Sequence, residues 1–249
     1  MTDTTMRLLL INPNTSEPMN EAIAQAARAV AAPGTEVRAV HPGFGPVSIE
    51  SHYDEAFAAA GVAEQLRLAA DWAPDAVVIA CFGDPGLEAA RELTEAPVLG
   101  IAEAAFHAAT MLATGFSVVT TMTRTCIMAE RLVQRYGMHH QCRGIHGTDI
   151  PVLALECCGE ATLRQIEDAS RAALERDRSG AIVLGCAGMA PLCAELSRRL
   201  GVPVIDGVAV AVKFAEALSV LGLRTSKRGD YALPLPKPFI GWAGPLAMP

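Results

Sequence analysis

The chain has 249 residues, 51% of them hydrophobic, enough to bury one large core or two modest ones, which excludes disorder for most of its length. Its net charge of −7 is offset by no basic cluster, the basic runs being as short as Lys227-Arg228, so nucleic acid is excluded as a partner and a small molecule is expected. Seven irregularly spaced cysteines point to reduced thiols in the cytoplasm, the apolar run Leu8 to Ile11 is too short for a signal-peptide core, and no window approaches the roughly 18 apolar residues of a membrane span.

Arg7-Leu8-Leu9-Leu10-Ile11 predicts a first buried strand. It ends in Asn12-Pro13-Asn14-Thr15-Ser16, a cluster that breaks a strand and supplies side-chain oxygens. These either cap a helix starting near Glu17-Pro18 or join its N-terminus in presenting donors to an anionic or carbonyl ligand. A helix from Met19 to Ala31 is stopped by Pro33-Gly34, and Glu36 to Val40 predicts a second strand. The stretch His41 to His52 is too long and too rich in glycine and proline for a plain turn, so it reads as a substrate-contacting loop or a packed surface loop. Tyr53 to Ala70 has a helical pattern.

Ala76-Val77-Val78-Ile79-Ala80 is uninterrupted and rich in β-branched residues, as a parallel strand buried on both faces requires, and Cys81-Phe82-Gly83 follows at its end. Pro97 to Ile101 predicts another strand. Ala102 to Ala113 predicts a helix with so little charge that it is expected between lobes or subunits, which favours a homo-oligomer, with His107 a hydrogen-bonded core histidine.

Gly115 to Thr120 opens a second half that echoes the first: an apolar strand, a hydroxyl-rich bend at Thr121 to Thr125, then a helix from Cys126 to Tyr136. Thr120 and Thr121 take the places of Ile11 and Asn12, so their hydroxyls either face the same cleft from the other side or cap the helix. Gln141 to Ile145 predicts a weak strand. His139-His140 with Cys142 lacks the paired spacing of a metal site, and no metal is expected. After the charged amphipathic helix Glu160 to Arg178, Ala181-Ile182-Val183-Leu184 leads into Gly185-Cys186-Ala187-Gly188, repeating the earlier pattern of buried strand, cysteine, one residue and glycine. Helix Leu192 to Leu200, strand Val202 to Ile205 and helix Val208 to Leu221 complete the regular elements.

The repeat divides the chain into an α/β lobe over 1–113, completed by a C-terminal helix over 207–223, and a second over 114–206. The proline-rich tail 224–249, with Tyr231, Phe239 and Trp242, is expected to be disordered or an arm lying on its own or a neighbouring subunit. Two lobes of this kind place two thiols at strand carboxyl ends, where they can face each other across a cleft. Cysteine at one strand end reads as a small inert hydrophobe; at equivalent ends of a repeat it reads as catalytic. Asp84 and Asp206, near strand ends, either cap helices or bind polar groups of the substrate, with capping the favoured expectation.

Ile11-Asn12-Pro13-Asn14-Thr15-Ser16, Phe44-Gly45-Pro46 with Ser48-Ile49-Glu50-Ser51, Cys81-Phe82-Gly83-Asp84-Pro85-Gly86 and Gly185-Cys186-Ala187-Gly188-Met189 resemble the hydantoin and allantoin racemases of the aspartate/glutamate racemase superfamily, from about Arg7 to Leu221. The resemblance implies two α/β lobes, with parallel sheets flanked by helices, related by pseudo-twofold symmetry. It also implies an active site between them, no cofactor, and a cysteine pair matching Cys81 and Cys186 on either side of the substrate stereocentre.

Inverting a C–H centre needs a base on one face and an acid on the other, and a thiol pKa near 8.5 that a helix N-terminus lowers suits both roles. Cys81 and Cys186 are thus expected to alternate as base and acid, with the backbone N–H groups of Phe82, Gly83, Ala187 and Gly188 donating to the enolate oxygen. Asn14, Ser48, Ile49, Thr120 and Thr121 are expected to shape the site and Phe44 to cover it. Phe44, Val47 and Ile49 favour alkyl or arylalkyl hydantoins. The alternatives are allantoin racemisation, amino-acid racemisation, maleate isomerisation or arylmalonate decarboxylation on the same fold, and a non-enzymatic thiol redox or ligand-binding module. Phe-Gly-Asp after Cys81 replaces the Asn-Thr of similar amino-acid racemases.

Overall fold

Leu8–Ile11 and Ala76–Ile79 lie side by side, in parallel, with all eight residues buried. The computed structural model describes residues 5–157 and 159–247, so Cys158 and the ends of the chain lie outside it. In chain order the elements are β1 (Met6–Ile11), α1 (Glu17–Val30), β2 (Thr35–Val40), α2 (His52–Leu68), β3 (Ala76–Ile79), α3 (Leu87–Leu93), β4 (Val98–Gly100) and α4 (Ile101–Leu112). They continue with β5 (Phe116–Thr120), α5 (Cys126–Arg135), β6 (Cys142–Gly147), α6 (Glu160–Asp177), β7 (Ala181–Leu184), α7 (Cys193–Leu200), β8 (Val204–Ile205) and α8 (Gly207–Val220). The strands form two four-stranded parallel sheets of equivalent order, β2-β1-β3-β4 and β6-β5-β7-β8. No helix among the described residues is long and apolar enough to cross a membrane.

Because side chains alternate along a strand, each central strand serves two cores. Leu8, Leu10 and Val78 meet Ile23 of α1 and Val208 and Val212 of α8, while Leu9, Ile11, Val77 and Ile79 meet Val62 and Leu66 of α2 and Leu87 of α3. In the second sheet, Phe116, Val118 and Val183 pack on Phe106 of α4 and Leu132 of α5, and Val119, Ile182 and Leu184 on Ile166 of α6 and Leu196 of α7. The halves therefore exchange helices: α4 follows the first sheet but packs on the second, and α8 follows the second but packs on the first. Against each other, α4 and α8 leave no room for a side chain at Gly207, where a methyl group would sit 2.3 Å from the Ile101 carbonyl oxygen. Gly207→Ala is expected to destabilise the fold by about 2 kcal/mol, read as a lower urea midpoint with an unchanged slope.

Local chemistry accounts for most boundaries. Ser16 Oγ accepts from Met19 N at the start of α1, Ser51 from Asp54 N at α2, and Asp206 from Val208 N and Ala209 N at α8. The strand expected over Pro97 to Ile101 stops at Gly100, because the carboxylate of Asp84 captures Ala102 N and Glu103 N and starts α4 at Ile101. Neither cysteine leads directly into an α-helix. Cys81 enters a turn ahead of α3, and Cys186 precedes a 3₁₀ segment, Ala187–Leu192, which contains Pro191. His107 is exposed rather than in the core, its Nδ1 paired with the Glu103 carbonyl at 2.8 Å.

The described part of the tail runs along its own chain. Thr225 bonds the backbone of Glu95 and Ala96, Lys227 Nζ donates to the Glu92 carbonyl at 3.0 Å, and Trp242 meets Phe44 edge to face with ring centroids 5.2 Å apart.

Candidate active site

The carboxyl ends of β1, β3, β5 and β7 open on one cleft holding about 610 Å³ of atom-free space, its mouth included. This is where open parallel sheets bind ligands. Cys81 and Cys186 both line it, and each is partly accessible. Asn14, Ile49, Phe82, Gly83, Thr120, Thr121 and Ala187 join them.

Phe44, Ser48 and Gly188, expected here as well, are not among the lining residues. Phe44 packs on Trp242 instead of across the cleft, and Gly188 turns towards Leu155 behind Cys186. Ser48 stays in the loop whose Ile49 reaches the cleft and whose Glu50 Oε1 accepts from Val152 N at 3.0 Å. That bond ties the loop from the first half to a lining residue of the second.

The polar wall is braced by its own hydrogen bonds. Asn14 Oδ1 accepts from Asn12 Nδ2 and Ser16 N, both at 2.9 Å, so its amide is held in one orientation. Thr120 Oγ1 donates to the Gly185 carbonyl at 2.8 Å, joining the ends of β5 and β7 rather than pointing a free proton at the cleft. The rest of the lining is apolar: Met19, whose sulfur accepts from Asn14 Nδ2 at 3.2 Å, and Met128, Ala129 and Val152, none of which stood out from ordinary core residues in the sequence.

That apolar lining sets the chemistry of Cys81. Burial pushes its thiol up to about 12, helped by Cys186, Asp84 and Glu55, whose negative charges disfavour a thiolate. The Gly83 N–H bonds the sulfur and opposes the rise, so this donor serves the thiol rather than an enolate oxygen. The expectation of a helix-lowered thiol is thus overturned at Cys81, because a turn and an apolar wall occupy the place of a helix N-terminus. Outside the cleft, Cys142 and Cys193 are half-buried thiols that desolvation pushes up to about 11. Among the described residues no group of three or more His, Cys, Asp or Glu is arranged to hold a metal ion.

Asp84 secures the turn that carries Cys81. Its N–H donates to the Cys81 carbonyl at 3.0 Å, and its buried carboxylate accepts from Ala102 N, Glu103 N and Tyr136 Oη at 2.8–3.0 Å. It therefore caps α4 rather than the nearby α3, and it holds α5, whose Met128 and Ala129 form part of the wall. Desolvation pushes its carboxyl up to about 6 despite these donors.

The Asp/Glu/Hydantoin racemase family description matches residues 8–215, from β1 into α8. A hydantoin racemase of Pseudomonas sp. (strain NS671) is 46% identical over 236 residues, covering 95% of each chain. Among solved structures, an allantoin racemase from Klebsiella pneumoniae superposes with a TM-score of 0.95 at 55% identity, over 97% of this chain and 99% of that one. The allantoin racemase from Pseudomonas fluorescens gives 0.91 at 41% identity, over 95% and 100%. With the family pattern running through both sheets and relatives this similar over almost their whole length, the chain belongs to the Asp/Glu/hydantoin racemase family of isomerases.

Proposed function

We propose that this racemase interconverts the enantiomers of 5-monosubstituted hydantoins by proton transfer at C5 between Cys81 and Cys186, without a cofactor. The observation that carries the reading is that two thiols, from equivalent strand ends of equivalent sheets, line one cleft. A thiolate on one side removes the C5 proton, leaving the electron pair as an enolate on the adjacent carbonyl oxygen. The opposite thiol then delivers its proton to the other face of C5, so base and acid have exchanged states and the product is the mirror image. The N–H groups of Phe82 and Ala187 are the backbone donors assigned to the enolate oxygen, a contact worth ~3–4 kcal/mol where donors of this type have been removed. The allantoin racemase that is 55% identical to this chain supports a second substrate reading, allantoin, which is the hydantoin with a ureido group at C5.

The test is incubation of enantiopure 5-benzyl-, 5-isobutyl- and 5-ureidohydantoin in D₂O. Optical rotation should decay faster than in protein-free controls, with deuterium entering at C5. If none of the three changes faster than its control, the proposal fails.

The elevated Cys81 thiol also fixes a pH signature. A thiol is an acid only while protonated, that is, below its pKa, and Cys81 keeps its proton to about 12 in the free cleft. After correction for substrate ionisation, kcat/KM should therefore show no alkaline decline up to about pH 10. A fall centred near the ordinary thiol value of about 8.5 would remove Cys81 from the acid role.

A further inference from the structure

Glycine at 83 leaves a recess in the cleft wall. A methyl group built there would have Met128 Cε at 3.8 Å, Cys81 Sγ at 3.9 Å and Glu55 Oε1 at 3.9 Å, with no nearer atom. The recess is bordered at once by a reacting sulfur, a flexible thioether and a carboxylate oxygen. Glu55 stands in the first turn of α2. Its Oε2 is 3.4 Å from His52 Nδ1, and His52 Nε2 is 3.5 Å from Arg131 Nη1 of α5. Oε1 is left facing the recess with no hydrogen bond among the described residues.

A hydantoin with C5 against Cys81 has its C5 substituent within reach of this recess. An alkyl group there would strip water from the carboxylate and offer it nothing in return. A group carrying N–H donors would pair with it through charge-assisted bonds. We infer that Glu55 is a specificity-determining residue that accepts N–H bonds from the C5 substituent, so that the cleft prefers hydantoins with ureido-type substituents over those with alkyl or arylalkyl ones. This inference rests on the hydantoin reading above, deepens it, and reverses the alkyl preference expected from Phe44, Val47 and Ile49.

The experiment compares kcat/KM for 5-ureidohydantoin and 5-isobutylhydantoin in the full chain and in Glu55→Ala and Glu55→Gln. The Glu55 charge also bears on Cys81, but that effect is common to both substrates and cancels in their ratio. The wild type should favour the ureido compound. The ureido-to-isobutyl ratio should fall by about 10–100-fold in Glu55→Ala, and by less in Glu55→Gln, which keeps one acceptor oxygen. A wild type that favours isobutyl, or a ratio that Glu55→Ala leaves in place, overturns the inference while the racemase reading stands. A wild type that racemises neither compound overturns both.

Discussion

Cys81→Ala and Cys186→Ala should each lower racemisation by about 10³–10⁴-fold, and the two variants should fail in mirror-image ways. With Cys81 removed, Cys186 still faces C5 from its own side. It can remove the proton of the enantiomer whose C–H bond points towards it and return a solvent deuteron to the same face. That enantiomer gains deuterium without losing rotation, and the other does neither. In Cys186→Ala the identities are reversed. Polarimetry and proton NMR on each pure enantiomer in D₂O read both quantities together. Two variants that label the same enantiomer, or one that still racemises at the wild-type rate, would refute the two-base mechanism. Both side chains are partly accessible, so their truncation leaves no sealed cavity and the variants should melt close to the wild type.

Asp84→Ala, unlike the thiol variants, should carry a large stability cost. Truncation strips three donors, the buried Ala102 N and the partly buried Glu103 N and Tyr136 Oη, of their acceptor. At 1–3 kcal/mol for each unsatisfied group, less whatever water recovers, the loss is ~4 kcal/mol. Because the same residue fixes the Cys81 turn, kcat should fall even under conditions where the variant stays folded.

Asp84→Asn isolates the charge. The carboxyl pKa is raised from 3.8 to about 6 in the fold, so its stabilising contribution is full below about pH 4 and is lost as pH rises through 6. The wild type should therefore gain ~2 kcal/mol relative to Asp84→Asn between pH 7 and pH 4.5, measured by urea unfolding at each pH. A gap that is constant with pH, or that narrows on acidification, would show that the carboxyl is not held above its ordinary value.

What could be read in the sequence is what is local. Runs such as Leu8 to Ile11 and Ala76 to Ile79 declare buried parallel strands because no polar residue interrupts them, and Ser16 and Asp206 declare caps because their partners lie two or three residues away. The two cysteines were legible because a duplicated pattern puts them at matching strand ends. Asp84 looked like a cap, but which helix it caps was hidden, since its partners Ala102 and Tyr136 come near it only after folding. The Phe44 contact with Trp242 was hidden because that partner lies far off in the tail. Met19 and Met128 carry no signal of their own, since a methionine on a cleft wall and one in a core have the same sequence appearance. Glu55 was hidden as an ordinary acid in a helix first turn.

The reciprocal loan of α4 and α8 bears on how the protein is made. During synthesis, β1 and β3 leave the ribosome before the whole second sheet, whereas Val208 and Val212, which help cover Leu8, Leu10 and Val78, follow it. Throughout that interval α1 covers this face without α8, and the nascent chain carries a half-shielded apolar surface, the kind that chaperones bind and that sticks to other unfinished chains. Maturation of the first half therefore waits on synthesis of the second, even though its own strands precede it.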